Sequence, residues 1–225
     1  MKNLEGIKVC AMFGSLSEKE RNKILSLSVQ KEFNRGDIIA QEGDRSSHVY
    51  IIAEGQVKGA RFTSDGREII LEVFGNCDMI GPVAATSNEP FYYTAIALTK
   101  VTVNMIKKED FLEMLRVNPF IANKTFVALG KRLRAAQEKI EEFISDKVEQ
   151  RVAKILMALS ARIGPEIPFT RQEIAGMVGT TIETTIRVTS RFKEAKVIKT
   201  TRGKITIIDR QKLSLLAEGP PIKII

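Results

Sequence analysis

Glu183 and Arg187 stand four residues apart in the stretch Phe169–Phe192, FTRQEIAGMVGTTIETTIRVTSRF. On a helix that spacing is about one turn, so both side chains share a face. A guanidinium there can donate two hydrogen bonds to the O6/N7 edge of guanine, and a carboxylate can accept from the N4 amine of cytosine. The same pair also reads as an ordinary i,i+4 ion pair on a solvated surface. Ile182 and Ile186, each just before a charged residue, offer apolar surface suited to a thymine methyl group. Thr170, Arg171, Thr181, Thr184, Arg202 and Lys204 are candidate phosphate contacts, which set register without reading sequence. Arg191 and Lys193 extend that set.

Two short helices must position these groups. Thr170 can N-cap the first, with Glu173 three residues on completing a capping box. Ile174, Met177 and Val178 supply its apolar side, and Gly179 ends it in a conformation that most residues resist. Thr180 or Thr181 then caps the second helix, whose buried face is Thr185, Val188 and Phe192. With Thr180 as the cap, Glu183 falls at the capping-box position and would be held there instead of reading a base. Helix, glycine turn, helix is the pattern in which the second helix enters the DNA major groove. The run VIKTTRGKITII follows, two alternating segments around Arg202-Gly203. It reads as a hairpin, a wing whose Lys199, Arg202 and Lys204 bring positive charge to the phosphate backbone.

The charge supports this only when it is divided. The chain has 225 residues and a net charge of +8. Residues 1–146 carry 20 basic and 20 acidic side chains, whereas residues 147–225 carry 15 and 7. The entire positive excess therefore lies in the C-terminal third, the electrostatic footprint of a nucleic-acid-binding domain or, more blandly, a solvated basic face. No apolar run is long enough to span a bilayer, and the first residues, MKNLEGIKVCAMF, lack a signal-peptide pattern. A cytoplasmic location with no membrane partner is expected. Cys10 and Cys77 do not make a disulfide framework and are too few for a zinc or iron–sulfur site. One histidine, His48, and no nucleophile–base set argue against an enzyme.

Residues 14–30 read as a helix, with Ser17 as cap, Glu20 at the capping-box position, and Ile24 and Leu25 inward. From Lys31 to about Lys107, short β-prone runs (DIIA, HVYIIAE, QVKGARF, REIILEVF, TAIAL, TVNMI) alternate with glycine-bearing turns. Many short strands without intervening helices predict an antiparallel barrel or jelly roll, often a ligand container. Helix resumes in KKEDFLEML, and a longer helix follows Asn118-Pro119, covering roughly 119–144. Its Phe126, Leu129, Leu133, Ala136, Ile140 and Phe143 are spaced 3, 4, 3, 4, 3, an a/d seam. Such a seam serves either to pack the helix on its own barrel or to pair it with a second copy, and its narrowness favours a parallel homodimer. Asp146 can cap the next helix, which stops at Gly164-Pro165, so a hinge is expected near Ser145-Asp146. The predicted fold is α+β: a β-roll over 1–118, a dimerisation helix and hinge over 119–145, and a winged helix-turn-helix over 146–225.

This order, with RGDIIAQEGD and VYIIAEGQVK in the roll, QRVAKIL after the hinge and TRQEIAGMVGTTIETTIRV at the DNA, resembles the cyclic-AMP receptor/fumarate-nitrate regulator (CRP/FNR) family of bacterial transcription factors. The resemblance implies a homodimer on a pseudo-palindromic site in double-stranded DNA, with a small-molecule effector in each roll and RNA polymerase as a partner if it activates. It implies base-reading roles for Glu183 and Arg187. It also implies an effector pocket drawn from Gly81, Pro82, Val83, Ala84, Tyr93 and Thr94 of the roll and Leu133, Ala136 and Gln137 of the long helix.

The effector site departs from the family pattern. Cyclic-nucleotide-binding members have Gly-Glu followed by an Arg-Ser/Thr-Ala run, in which the Arg holds the cyclic phosphate and the Glu takes the ribose hydroxyl. Here Pro82 stands for the Glu and Tyr93 for the Arg. A buried phosphate would lack its charge partner, so cyclic AMP in the usual mode is not expected. An iron–sulfur cluster is not expected either, because that branch uses four cysteine ligands. Haem stays open through Cys77 as a thiolate ligand or redox thiol, against the blander reading of a turn residue. The open alternatives are an unidentified effector, an effector-independent regulator, and a haem or redox sensor.

Overall fold

The computed structural model describes residues 18–219. The expected cap at Ser17 and the position of Cys10 lie outside them. The chain divides into two compact units, one comprising the residues up to Arg61 with Ile70–Leu133, the other Phe62–Ile69 with the residues from Arg134 onward.

In the first unit, apart from the Phe62–Ile69 ends of β4 and β5, helix α1 (Glu18–Ser26) leads into eight strands: β1 (Ser28–Phe33), β2 (Ile38–Ala40), β3 (His48–Glu54), β4 (Val57–Phe62), β5 (Glu68–Phe74), β6 (Met79–Ile80), β7 (Thr94–Ala97) and β8 (Val101–Lys107). They form two four-stranded sheets, ordered β1-β8-β3-β6 and β2-β7-β4-β5. The antiparallel roll is therefore as expected. The helix over 14–30, however, is too long: the chain turns to strand at Ser28, whose hydroxyl donates to the Leu25 carbonyl at 2.9 Å and closes α1. SVQKEF carries charge on its outer face and so hides its pairing with β8.

The central strand shows why the roll is stable. HVYIIAE is apolar on successive residues, not alternating ones, because both faces are covered. Tyr50 and Ile52 point into the space between the sheets with Val57, Phe74, Ile80, Ala95 and Val103. Val49 and Ile51 point the other way, into a layer made with Ile24, Leu25, Phe111, Met114 and Ile121. Those residues belong to α1, to α3 (Lys108–Val117) and to α4 (Pro119–Ser145). A six-residue helix, α2 (Pro82–Ser87), interrupts the strands.

The second unit carries the rest of α4, then α5 (Val148–Ile163), β9 (Glu166–Ile167), α6 (Arg171–Val178), α7 (Ile182–Glu194), β10 (Ile198–Thr201), β11 (Lys204–Ile207) and α8 (Arg210–Glu218). The hairpin at Arg202-Gly203 forms with Thr201 opposite Lys204, and Gly203 takes the positive φ of 71° that this tight turn needs. Two elements escape the sequence pattern: β9, a two-residue partner of β11, and α8, whose Leu213 and Ala217 are buried.

Candidate nucleic-acid interface

The first helix of the pair, α6, starts as predicted. The Thr170 hydroxyl accepts from the Glu173 amide at 3.2 Å, and the Glu173 carboxylate accepts from the Thr170 amide at 2.7 Å. The carboxylate also accepts from the Thr170 hydroxyl at 2.9 Å, so three hydrogen bonds join the two residues at the cap. Gly179 ends α6 with φ 63° and ψ 50°, and Thr181 caps α7, its hydroxyl accepting from the Thr184 amide at 3.2 Å. That choice of cap frees Glu183 from the capping-box position. Its carboxyl lies below the usual range chiefly because its own backbone N–H holds the anion, with a further hydrogen bond from Thr181.

Helix α7 is two-faced. Thr185, Val188, Thr189 and Phe192 are buried, and the two threonine hydroxyls are satisfied by the carbonyls of Thr181 and Thr185 at 3.0 and 2.8 Å. On the other face Ile182, Glu183, Ile186 and Arg187 are all exposed. A run of four groups able to read base edges thus stands outward from one turn and a half of a rigidly seated helix. Two of them are isoleucines, 38% and 44% exposed, which add apolar surface beside the charged pair.

The phosphate candidates are less uniform. Arg202 is exposed at the tip of the wing. Arg171 reaches from α6 to the wing and donates to the Thr200 hydroxyl at 3.1 Å. Lys204 pairs with Glu166 at 2.6 Å, and Arg191 pairs with Glu149 of α5. Thr181 is exposed and Thr184 half-buried beside it.

The end of α4 is seated on this pair of helices. The ring of Phe143 lies so close to Gly179 that a Cβ built there would be 2.5 Å from it. The Arg151 guanidinium sits 5.2 Å from the centre of the same ring and donates to the carbonyls of Val178 at 3.2 Å and Asp146 at 2.8 Å. Lys154 adds ion pairs to Asp146 and Glu142, at 2.6 and 3.4 Å. These contacts lie at the joint expected as a hinge, and Phe143, assigned to the dimer seam, has a partner in its own chain. The rest of the stripe is open: Phe126, Leu133 and Ile140 are 75%, 62% and 60% exposed. Ala136 is exposed as well, and Leu129 is half-buried.

In the roll and on α4, the expected effector residues differ in their surroundings. Gly81 has φ 85°, and the Phe91 ring covers it so closely that a Cβ would fall 2.8 Å away. Pro82 opens α2 and has no N–H to give a ligand. Ala84 is buried and Val83 is exposed. The Thr94 hydroxyl accepts from the Glu42 amide at 3.2 Å. Tyr93 is half-buried, its ring tilted against Phe74 at 5.6 Å, and burial raises its hydroxyl pKa. Tyr92 points outward, under the Arg61 guanidinium. Leu133, Ala136 and Gln137 are exposed on α4, the last two within the second unit. Arg132, absent from the sequence-derived candidates, is the residue the structure adds: it pairs with Glu72 at 2.9 Å. Cys77 is disulfide-bonded and takes a positive φ of 69° in its turn. Half-buried His48 meets the Ser47 hydroxyl through Nδ1 at 2.9 Å.

Known proteins place these features. Residues 30–118 match the model of the cyclic nucleotide-binding domain, and residues 150–216 match that of the Crp-like helix-turn-helix domain. The CRP-like cAMP-activated global transcriptional regulator of Mycobacterium tuberculosis is 28% identical over 92% of this chain and 97% of its own length. The cyclic AMP receptor protein of Thermus thermophilus is 25% identical over 95% of this chain and 99% of its own. Among solved structures, FixK2 of Bradyrhizobium japonicum superposes with a TM-score of 0.74 at 21% identity, covering 83% of this chain and 96% of that one, a likeness of fold. The chain belongs to the CRP/FNR family of transcription regulators, with that family's helix-turn-helix DNA-binding domain.

Proposed function

We propose that the protein is a homodimeric regulator that reads a pseudo-palindromic operator through α7 and is not switched by cyclic AMP in the manner of the cAMP-activated relatives. The observation that carries the DNA reading is the outward face of α7. Arg187 pairs with a guanine edge, Glu183 accepts from a cytosine amine, and Ile182 and Ile186 press on thymine methyl groups. Thr181, Thr184, Arg171 and the wing residue Arg202 fix the register on the backbone. Thr170 contributes by holding α6, and Lys204 contributes after exchanging Glu166 for a phosphate.

The open stripe on α4 supports pairing, since exposed Phe126, Leu133 and Ile140 leave an apolar face that a second copy would cover. Two recognition helices would then meet half-sites about one helical turn apart. The roll supports exclusion of cyclic AMP: no guanidinium stands at position 93, no carboxylate at 82, and Phe91 and Tyr93 occupy the space. Selection of bound sequences from a random DNA pool tests this reading. The expected result is an inverted repeat, with affinity unchanged by cyclic AMP. Recovery of no preferred sequence would overturn the DNA assignment, and tenfold tighter binding with cyclic AMP would overturn the exclusion.

A further inference from the structure

Where the roll meets the first half of α4, a set of the protein's own side chains ties helix to sheet. Arg132 of α4 sets its Nε 2.9 Å from Glu72 Oε1 on β5, and its Nη2 donates to the Met79 carbonyl at 2.6 Å. Its guanidinium carbon lies 4.9 Å from the centre of the Phe74 ring. Phe74 in turn packs on Tyr93, and both rings press on Gly59, where a Cβ would meet them at 3.0–3.1 Å. The Arg132 and Glu72 side chains are only 20% and 33% exposed, so this pair is drier than a surface ion pair and less screened by salt.

One planar guanidinium therefore meets a carboxylate, a carbonyl and an aromatic face at once, through separate nitrogens held in one rigid fork. A ligand can move an equilibrium only by contacts it makes better in one state than in the other. Here an entering anion would have to displace two rings and compete with Glu72 for Arg132. It would break the tie between α4 and the sheet instead of making it.

We propose that the Arg132–Glu72–Phe74–Tyr93 cluster is a built-in latch that takes the place of an effector and holds α4 in the arrangement competent for operator binding, with no small molecule required. This rests on the reading of the protein as a DNA-binding regulator. Arg132 and Glu72 act as positioning residues.

The test uses the full chain, its selected operator, and the filtered small-molecule fraction of a boiled bacterial extract as the probe. Purified protein should bind the operator with an affinity that the extract raises by no more than about threefold. Glu72→Gln and Arg132→Met should each weaken operator binding about tenfold while the protein stays folded and dimeric, and the double variant should be no weaker than the worse single one. A larger rise with extract, single variants that bind like the parent, or losses that multiply in the double variant would each overturn the latch. Hydrogen exchange supplies a readout independent of DNA. Amides of α4 around Arg132 should exchange faster in both single variants, and unchanged rates would sink the proposal even if no operator were found. Failure to select any DNA sequence, with the exchange effect present, would instead count against the regulator reading alone.

Discussion

The roll and the helix-turn-helix treat their functional positions in opposite ways. On α7 the groups that could touch a ligand stand outward and the structural groups stand inward, with the two sets interleaved at helical spacing. In the roll, Tyr93 packs its ring on Phe74, Phe91 covers Gly81, and an ion pair of the chain itself, Arg132–Glu72, stands beside them. A surface meant for a large polyanion can be kept open because water satisfies it until DNA arrives. A small concave site left open would forfeit packing, whereas side chains of the chain itself that fill it recover those contacts.

The contrast can be attacked from both sides. Removing Phe192, buried beneath α7, should cost about 3–5 kcal/mol in chemical denaturation as Phe192→Ala, and DNA binding should fail with the fold. Arg187→Ala should leave that denaturation curve in place yet cost about 1–3 kcal/mol of operator binding and relax preference at one base pair. A loss spread evenly over all sequences would mark Arg187 as a phosphate contact and blunt the comparison. Tyr93→Arg restores a guanidinium to the roll, and titration calorimetry should still detect no cyclic AMP binding, because Pro82 and Phe91 are unchanged. The substitution should cost about 1–2 kcal/mol of stability, since a charge replaces a ring packed on Phe74. The smallest effect concerns Glu183. Its folded carboxyl is depressed, so whatever it contributes is complete above the unfolded value and is lost as pH falls through the lower, folded one. Carbon-detected NMR titration should give a midpoint below the ordinary 4.5. Thr181→Val should move it only part of the way back, since the backbone N–H remains.

What could be read in advance follows from the distance over which each feature is encoded. The cap at Thr170, the Gly179 turn, the two faces of α7 and the wing at Arg202-Gly203 are each written within a few consecutive residues. The latch is not: Glu72, Tyr93 and Arg132 come from strand β5, the bend before β7 and helix α4, far apart in the chain, and no local period connects them. Strand β1 was missed because SVQKEF shows water a charged face, and β9 because two residues make no pattern. Phe143 fits the 3, 4 spacing of the seam perfectly well, yet the ring is claimed by Gly179. Periodicity states which face a residue is on, not which neighbour occupies that face.

The contact between Phe143 and Gly179 has an evolutionary consequence. The ring sits where a side chain at 179 would begin, so the two positions compete for one volume. The dependence runs one way: the ring at 143 can shrink while the glycine stays, but a relative with a side chain at the turn should carry a smaller residue, or a ring turned aside, at the end of its long helix. Sequence comparison across the family would then find these two sites drifting as a correlated pair, with the large ring concentrated in the lineages that keep the glycine.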